Sequence, residues 1–232
     1  LLENIKFVKI LAILTMQKTK ESFKQKRLRT FFLSFESSSK KTAPVETIQE
    51  EIEDLGLTFI QMRLPVEKIT PEYETEINKK VEHNILRAKI REATEDDLEN
   101  LMNIYNKAWM TSNTPFSRIT VDSLKDIYKD PDIIVLIAKV YGIDGGFIIL
   151  DYEGPNKEYG VIAGLGILPH FQRKGLGTVL GLAGWKYFKD KGIKELRCEV
   201  YVDNKASYNF IKSLGFEEYE KRCYRSNDFI IE

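Results

Sequence analysis

Ile167-Leu-Pro-His-Phe-Gln-Arg-Lys-Gly-Leu-Gly177 is the stretch that decides the reading of this 232-residue chain. Before it, Tyr159–Ile167 is almost uncharged and reads as a central strand. After it, Leu176, Leu180, Leu182, Trp185 and Phe188 mark the inner side of a helix over 175–189, ended by Gly192. Two glycines one residue apart let the backbone turn tightly and come close to a ligand. The first turn of the helix leaves N–H groups that favour an anion, above all a phosphate. Arg173 and Lys174 add positive charge beside them. The segment is neither GxxxxGK[ST] nor GxGxxG, so the nucleoside triphosphate and dinucleotide fingerprints are excluded. A plain strand-to-helix turn with solvated Arg and Lys stays open on these residues alone.

Outward from this loop, the spacing predicts strands at 88–93, 133–141, 147–151, 159–167 and 196–202, then a terminal hairpin of 216–221 with 222–230. Helices are expected over 94–109, after the cap Thr94, over 120–128 from Thr120, and from Asn204 to Leu214. Upstream, strands are expected at 5–15, 28–35 and 57–64, with helices at 19–26, 47–55 and 70–86. The last is opened by Thr70 and Pro71. No motif lies in this first part. It is read as a separate N-terminal α/β extension or small domain, 1–86, in front of a domain at 87–232.

Composition narrows the partners. Lys plus Arg and Asp plus Glu are 35 each, 43 % of residues are hydrophobic and 30 % charged. That is the composition of a folded, soluble chain without the basic excess of a nucleic-acid binder. Charge is uneven, with ten basic and three acidic residues in 1–41 against four basic and ten acidic in 42–86. A basic arm touching RNA or lipid is therefore kept as an alternative to two solvated surfaces that offset each other. Cys198 and Cys223 form neither a disulfide framework nor a zinc pattern, and with only His83 and His170 no metal site is expected. No apolar run reaches membrane-spanning length, and the apolar stretch at 10–16 is not read as a signal peptide, so the expectation is cytoplasmic and away from membranes.

The chain resembles the GCN5-related N-acetyltransferase superfamily over about 88–228. Gln172-Arg-Lys-Gly175-Leu-Gly177 fits that family's [Q/R]xxGx[G/A] pattern. Leu165-Gly-Ile167-Leu-Pro169 fits its preceding strand end, and Asn204-Lys-Ala-Ser207 with Leu214-Gly-Phe216 fits its downstream pieces. The resemblance implies an α/β acyl-CoA N-acyltransferase fold whose mixed sheet splays at its centre, between 159–167 and 196–202. It implies acetyl-CoA as acyl donor, without a metal. The backbone of Leu165, Gly166 and Ile167 would pair with the pantetheine arm, and the Ile167 amide would polarise the thioester carbonyl. Gln172, Arg173, Lys174, Gly175, Leu176, Gly177 and Thr178 would surround the diphosphate. Asn204, Ser207 and Phe210 would line the cofactor side.

Two departures from the family matter. The usual glutamate base falls on Val161 and the usual tyrosine acid on Ile211. Glu199, Tyr201 and Tyr208 are the substitutes considered, with Asp151 and Glu153 at the end of their hairpin strand. Glu199 and Tyr201 share one face of their strand. On the acceptor side, Trp109, Met110 and Phe116 form an apolar slot or seal the core, and Asp151 is placed with them. The expected acceptor is an amine-bearing small molecule, peptide or protein, and a homodimer is admitted. The alternatives are a CoA-binding sensor that is catalytically weak and a ribosome- or RNA-associated acetyltransferase.

Overall fold

The computed structural model describes residues 56–115 and 118–225. The expectations for 5–15, 19–26, 28–35 and 47–55, the basic arm and Phe116 lie outside the described residues. In chain order the elements are β1 (Leu57–Pro65), α1 (Pro71–Glu82), β2 (Lys89–Glu92), α2 (Leu98–Trp109), α3 (Val121–Tyr128), β3 (Ile134–Val140), β4 (Ile143–Glu153), β5 (Tyr159–Ile167), α4 (Leu176–Phe188), β6 (Glu195–Tyr201), α5 (Lys205–Ser213) and β7 (Glu217–Tyr224).

Local chemistry explains most boundaries. Thr70 caps α1 by accepting from the Tyr73 amide at 3.2 Å, with proline at the first helical position. Thr94 and Asp97 form a capping box ahead of α2, and Thr120 with Ser123 forms another at α3. Tyr141 (φ 50°) and Gly142 (φ 85°) turn β3 into β4, both left-handed as a tight hairpin of this hand requires. Asp97 also binds Arg91 through two contacts of 2.7 Å, and that guanidinium holds its carboxyl well below the usual carboxylate range. A depressed value contributes stability that is complete above the unfolded value, about 4, and drains away as pH falls below it. Between pH 5 and pH 2 the melting temperature of Asp97→Asn is therefore expected to fall less than that of the unaltered chain.

Among the described residues, seven strands form one sheet in the order β2-β3-β4-β5-β6-β1-β7, antiparallel except for β5 beside β6. On one face α4 packs over Ile148 and Leu150, close enough that a Cβ on Gly184 would lie 3.2 Å from each. On the other face Leu101 and Tyr105 of α2 and Leu124 of α3 meet Val135, Phe147 and Ile149. α1 lies along α4, where Trp185 Nε1 donates to Glu74 Oε1 at 2.7 Å and Lys189 Nζ to Oε2 at 2.6 Å.

β1 overturns an expectation. It sits inside the sheet, paired with β6 from Phe59↔Tyr201 to Pro65↔Glu195 and with β7 on its other side. The boundary at 86 therefore does not hold: residues 57–86 belong to the same sheet and core as the rest. Leu57, Phe59, Ile60, Met62 and Leu64 are all buried, which suits a strand covered on both faces. The expected turn of a terminal hairpin between 221 and 222 is not found either. β7 runs unbroken through residues 221 and 222, where the hairpin was expected to turn, and residues 226–230 of the expected second strand lie outside the described residues.

The sheet is parted at its centre. β5 and β6 pair only at Tyr159↔Glu195, Gly160↔Leu196 and Val161↔Arg197, although β5 runs on to Ile167 and β6 to Tyr201. Just past the last pair, the β4–β5 register skips Ala163. A bulge bends its strand. So β5 turns away with β4, while β6 stays with β1.

Candidate active site

The gap between β5 and β6 is edged by backbone groups whose direction follows from register. Leu168 N–H donates to Gly145 O on the β4 side at 2.9 Å. Alternation along a strand then sends the amides of Leu165 and Ile167 into the gap and that of Gly166 toward β4. Of the three residues expected to meet a pantetheine arm, Gly166 is corrected. Its carbonyl oxygen would lie 2.8 Å from a Cβ on Gly146, on the β4 side. Its lack of a side chain instead lets Phe147 and Trp109 close on β5: a Cβ there would lie 2.6 Å from Phe147 and 3.0 Å from Trp109. Trp109 stacks on Tyr105 with ring centroids 4.3 Å apart, so it seals the α2 face and walls the gap at once.

At the end of β5 the chain enters the glycine turn. Arg173 (φ 57°) and Gly175 (φ 80°) are both left-handed, and Gly175 is the N-cap of α4 without a side-chain cap. The first intrahelical bond runs from Val179 N to Gly175 O, leaving the Leu176, Gly177 and Thr178 amides as the helix's first-turn donors. Arg173 and Lys174 are exposed beside them. Gln172 is tied back to the end of β5. Its Nε2 donates to Ile167 O at 3.0 Å and to Thr111 Oγ1 at 3.3 Å, tying the strand end to the loop after α2. Asn84, just after α1, braces the turn from outside: Nδ2 donates to Lys174 O at 2.8 Å while Oδ1 accepts from Leu86 N at 2.9 Å. Nothing local marked Asn84 for this, since its partner lies 90 residues away.

On the far wall, Asn204 caps α5, accepting from Ser207 N at 3.0 Å, and donates to Thr114 Oγ1 at 2.7 Å. It works as a cap and a tie rather than as a free donor in the gap. Phe210 packs its ring where a Cβ of Gly177 would be, 2.8 Å away, and so joins α5 to the first turn of α4. Gly177 is thus required by close approach.

The candidate proton-handling residues separate. Tyr208 is removed: its hydroxyl donates to Glu218 of β7, at the sheet edge away from the gap. Ile211, where the family's tyrosine would fall, is buried. Glu158 bonds the Asn156 amide in the turn before β5. Cys198 is buried, and burial pushes its thiol well above the ordinary value, so it packs as a neutral side chain. Glu199 and Tyr201 stay. They lie two and four residues beyond the point where β6 leaves β5, on the face shared with Arg197. Asp151 lies across the sheet in the row Asp151–Val161–Arg197–Arg63, on the α2 face. It is 2 % exposed and accepts from the Tyr152 amide at 2.7 Å. Two further residues meet Glu199, and both escaped the sequence reading: Gln61 Nε2 and Tyr224 OH each donate to its Oε2 at 2.9 Å. An amide side chain set between Ile60 and Met62 in the strand-like run Leu57-Thr-Phe-Ile-Gln61-Met-Arg-Leu64 was the available signal.

Comparison with known proteins agrees with this geometry. An uncharacterized N-acetyltransferase of Methanocaldococcus jannaschii is 27 % identical over 146 residues, covering 60 % of this chain and 65 % of that one. A mycothiol acetyltransferase of Paenarthrobacter aurescens is 27 % identical over 128 residues, covering 49 % and 40 %. The chain thus spans less than two thirds of the length of either relative. Among solved structures, an aminoglycoside acetyltransferase from an uncultured soil metagenomic sample superposes with a TM-score of 0.51 at 20 % identity, over 60 % of this chain and 95 % of that one. The profile of the acetyltransferase (GNAT) family matches residues 98–216, just over half of the chain, and takes in the parted strands and the glycine turn. The parted sheet that the resemblance implied and the profile that spans it converge, and the chain belongs to the acetyltransferase (GNAT) family.

Proposed function

We propose that this protein transfers an acetyl group from acetyl-CoA to the nitrogen of a primary amine. The observation that carries the reading is the parting of β5 from β6 after Val161, in a strand that then delivers Ile167 and the turn at Gly175. The residues present fit such a donor. The gap offers the Leu165 and Ile167 backbone groups to a pantetheine arm with amides of its own, and the uncapped first turn of α4 offers N–H groups, with Arg173 and Lys174, to a diphosphate.

When bound, acetyl-CoA supplies a thioester carbonyl. The Ile167 amide stabilises the charge that grows on its oxygen, already fixed in place because Gln172 holds the carbonyl of the same residue. Glu199 attracts the acceptor ammonium and takes one proton, so that the nitrogen lone pair can attack. The new C–N bond forms as the C–S bond breaks, Tyr201 at the open end of β6 gives a proton to the departing thiolate, and the second proton, still to leave the acylated nitrogen, restores the Tyr201 phenol. Trp109 and Asp151 border the acceptor on the α2 face.

Calorimetry with acetyl-CoA, followed by thiol release with a panel of primary amines, tests the reading. Uptake with turnover supports it, and no uptake by folded protein ends it. Uptake with no transfer across the panel favours the sensor, which the apolar residues at Val161 and Ile211 motivate. Glu199→Gln is expected to lower kcat by roughly 100-fold, the lower range of general-base contributions, with acetyl-CoA affinity retained. Full activity in that variant would remove Glu199 from the chemistry.

A further inference from the structure

The pair of contacts on Glu199 comes from two strands that the family profile does not reach, since it covers 98–216 while Gln61 lies in β1 and Tyr224 ends β7. Gln61 is directly opposite Glu199 in the β1–β6 register. It is 5 % exposed, in a strand otherwise buried through apolar side chains. An amide in such a place is costly unless its hydrogen bonds are made, and an apolar residue would satisfy packing alone. The β1–β7 register shifts between Gln61 and Met62, where β7 carries the extra residue Tyr219 and so bends beside this side chain. Tyr224 arrives differently. It sits opposite Leu57, and its ring packs on Phe59 at 5.7 Å, which in turn packs on Tyr201 at 5.5 Å. This aromatic row across three strands fixes the phenol, whose hydroxyl crosses β1 to reach β6. Both donors meet on one oxygen, Oε2, and two donors on one oxygen restrict how the carboxylate can rotate. They are not its sole contacts.

We infer that Gln61 and Tyr224 are positioning residues that aim the Glu199 carboxylate at the acceptor nitrogen. The inference rests on the assignment of Glu199 as base. β1 is then more than an added strand: it completes the catalytic side of the gap from outside the family-matched segment.

The test uses the full chain and two acceptor probes, phenethylamine, protonated at neutral pH, and hydroxylamine, which is not and so needs less help from a base. Thiol release from acetyl-CoA is followed for Gln61→Leu, Tyr224→Phe and each combined with Glu199→Gln. Each single variant is expected to lower kcat for phenethylamine about tenfold and to lower the phenethylamine-to-hydroxylamine rate ratio by a similar factor, with acetyl-CoA affinity by calorimetry kept within about twofold. On the Glu199→Gln background neither change is expected to lower kcat further, as for residues acting through one group. Equal losses with both probes, or losses that multiply on that background, overturn the positioning role while leaving Glu199 as base. Full activity of Glu199→Gln sinks the base assignment and this inference together, as does a wild-type chain that takes up acetyl-CoA and releases no thiol with either probe. Tyr224→Phe removes a single oxygen, so it keeps the question answerable if Gln61→Leu fails to fold.

Discussion

Gly175→Glu is expected to bind acetyl-CoA about 1000-fold more weakly than the unaltered chain, a loss of about 4 kcal/mol. Three effects act in the same direction. At φ 80° the backbone sits in the left-handed region, where a residue with a side chain is strained by roughly 1–2 kcal/mol. A Cβ there would lie 2.4 Å from Asn84 Nδ2, so it displaces the donor that bonds Lys174 O and loosens the brace on the turn. The added carboxylate then stands at the amides of the first turn of α4, where it competes with and repels a diphosphate. Hydrogen bonds to charged groups are worth about 1.5–3 kcal/mol each, so forfeiting two of them accounts for most of the loss. Gly175→Ala separates the contributions, because it keeps the strain and the clash without the charge. It is expected to weaken binding by about tenfold only. Calorimetry on both variants checks the pair, and unchanged affinity in Gly175→Glu would mean that the diphosphate lies elsewhere.

What could be read in the sequence was what short stretches decide. Thr70, Thr94 and Thr120 start helices through bonds to residues three positions on, and all three can be recognised without knowing the fold. The turn from Gln172 to Gly177 is similarly local, and with the strand before it and the Asn204 cap after it the family's fold followed. The placement of β1 was not legible. Leu57–Leu64 reads as a strand, but nothing in eight residues states that their partners are Glu195–Tyr201 and Glu217–Tyr224, more than a hundred positions on. The same blindness hid Gln61 and Tyr224 from Glu199, and Asn84 from Lys174. Tyr208 illustrates the converse error. Its type and position on a helix suit an acid, yet which way the phenol points is set by the packing of α5, and that packing delivers it to Glu218. Period-two alternation placed Glu199 and Tyr201 on one face, but only the parting of β6 from β5 gives that face an open wall.

The largest effect on folding is expected from removing β1. A chain cut to 87–232, the unit that the sequence suggests, is expected to show no cooperative melting and to bind no acetyl-CoA. The cut takes the central member of β6-β1-β7 and leaves β7 with no partner among the described strands. It exposes the unpaired edge of β6, and an open edge strand invites association with other chains. It also removes α1, whose Tyr73 hydroxyl bonds Leu214 O at 2.7 Å and whose Glu74 holds Trp185 and Lys189. A point variant tests the same coupling without truncation. Met62 is fully buried, and Met62→Ala should cost about 3 kcal/mol, within the range for opening a cavity at a core methionine. If β1 belongs to one cooperative body with the rest, that loss lowers a single transition, and far-UV and tryptophan signals move together. Trp185 lies on α4 and Trp109 on α2, so both report on the part of the molecule beyond residue 87. Two separate transitions, or a tryptophan signal indifferent to Met62→Ala, would instead restore the first segment as a domain of its own.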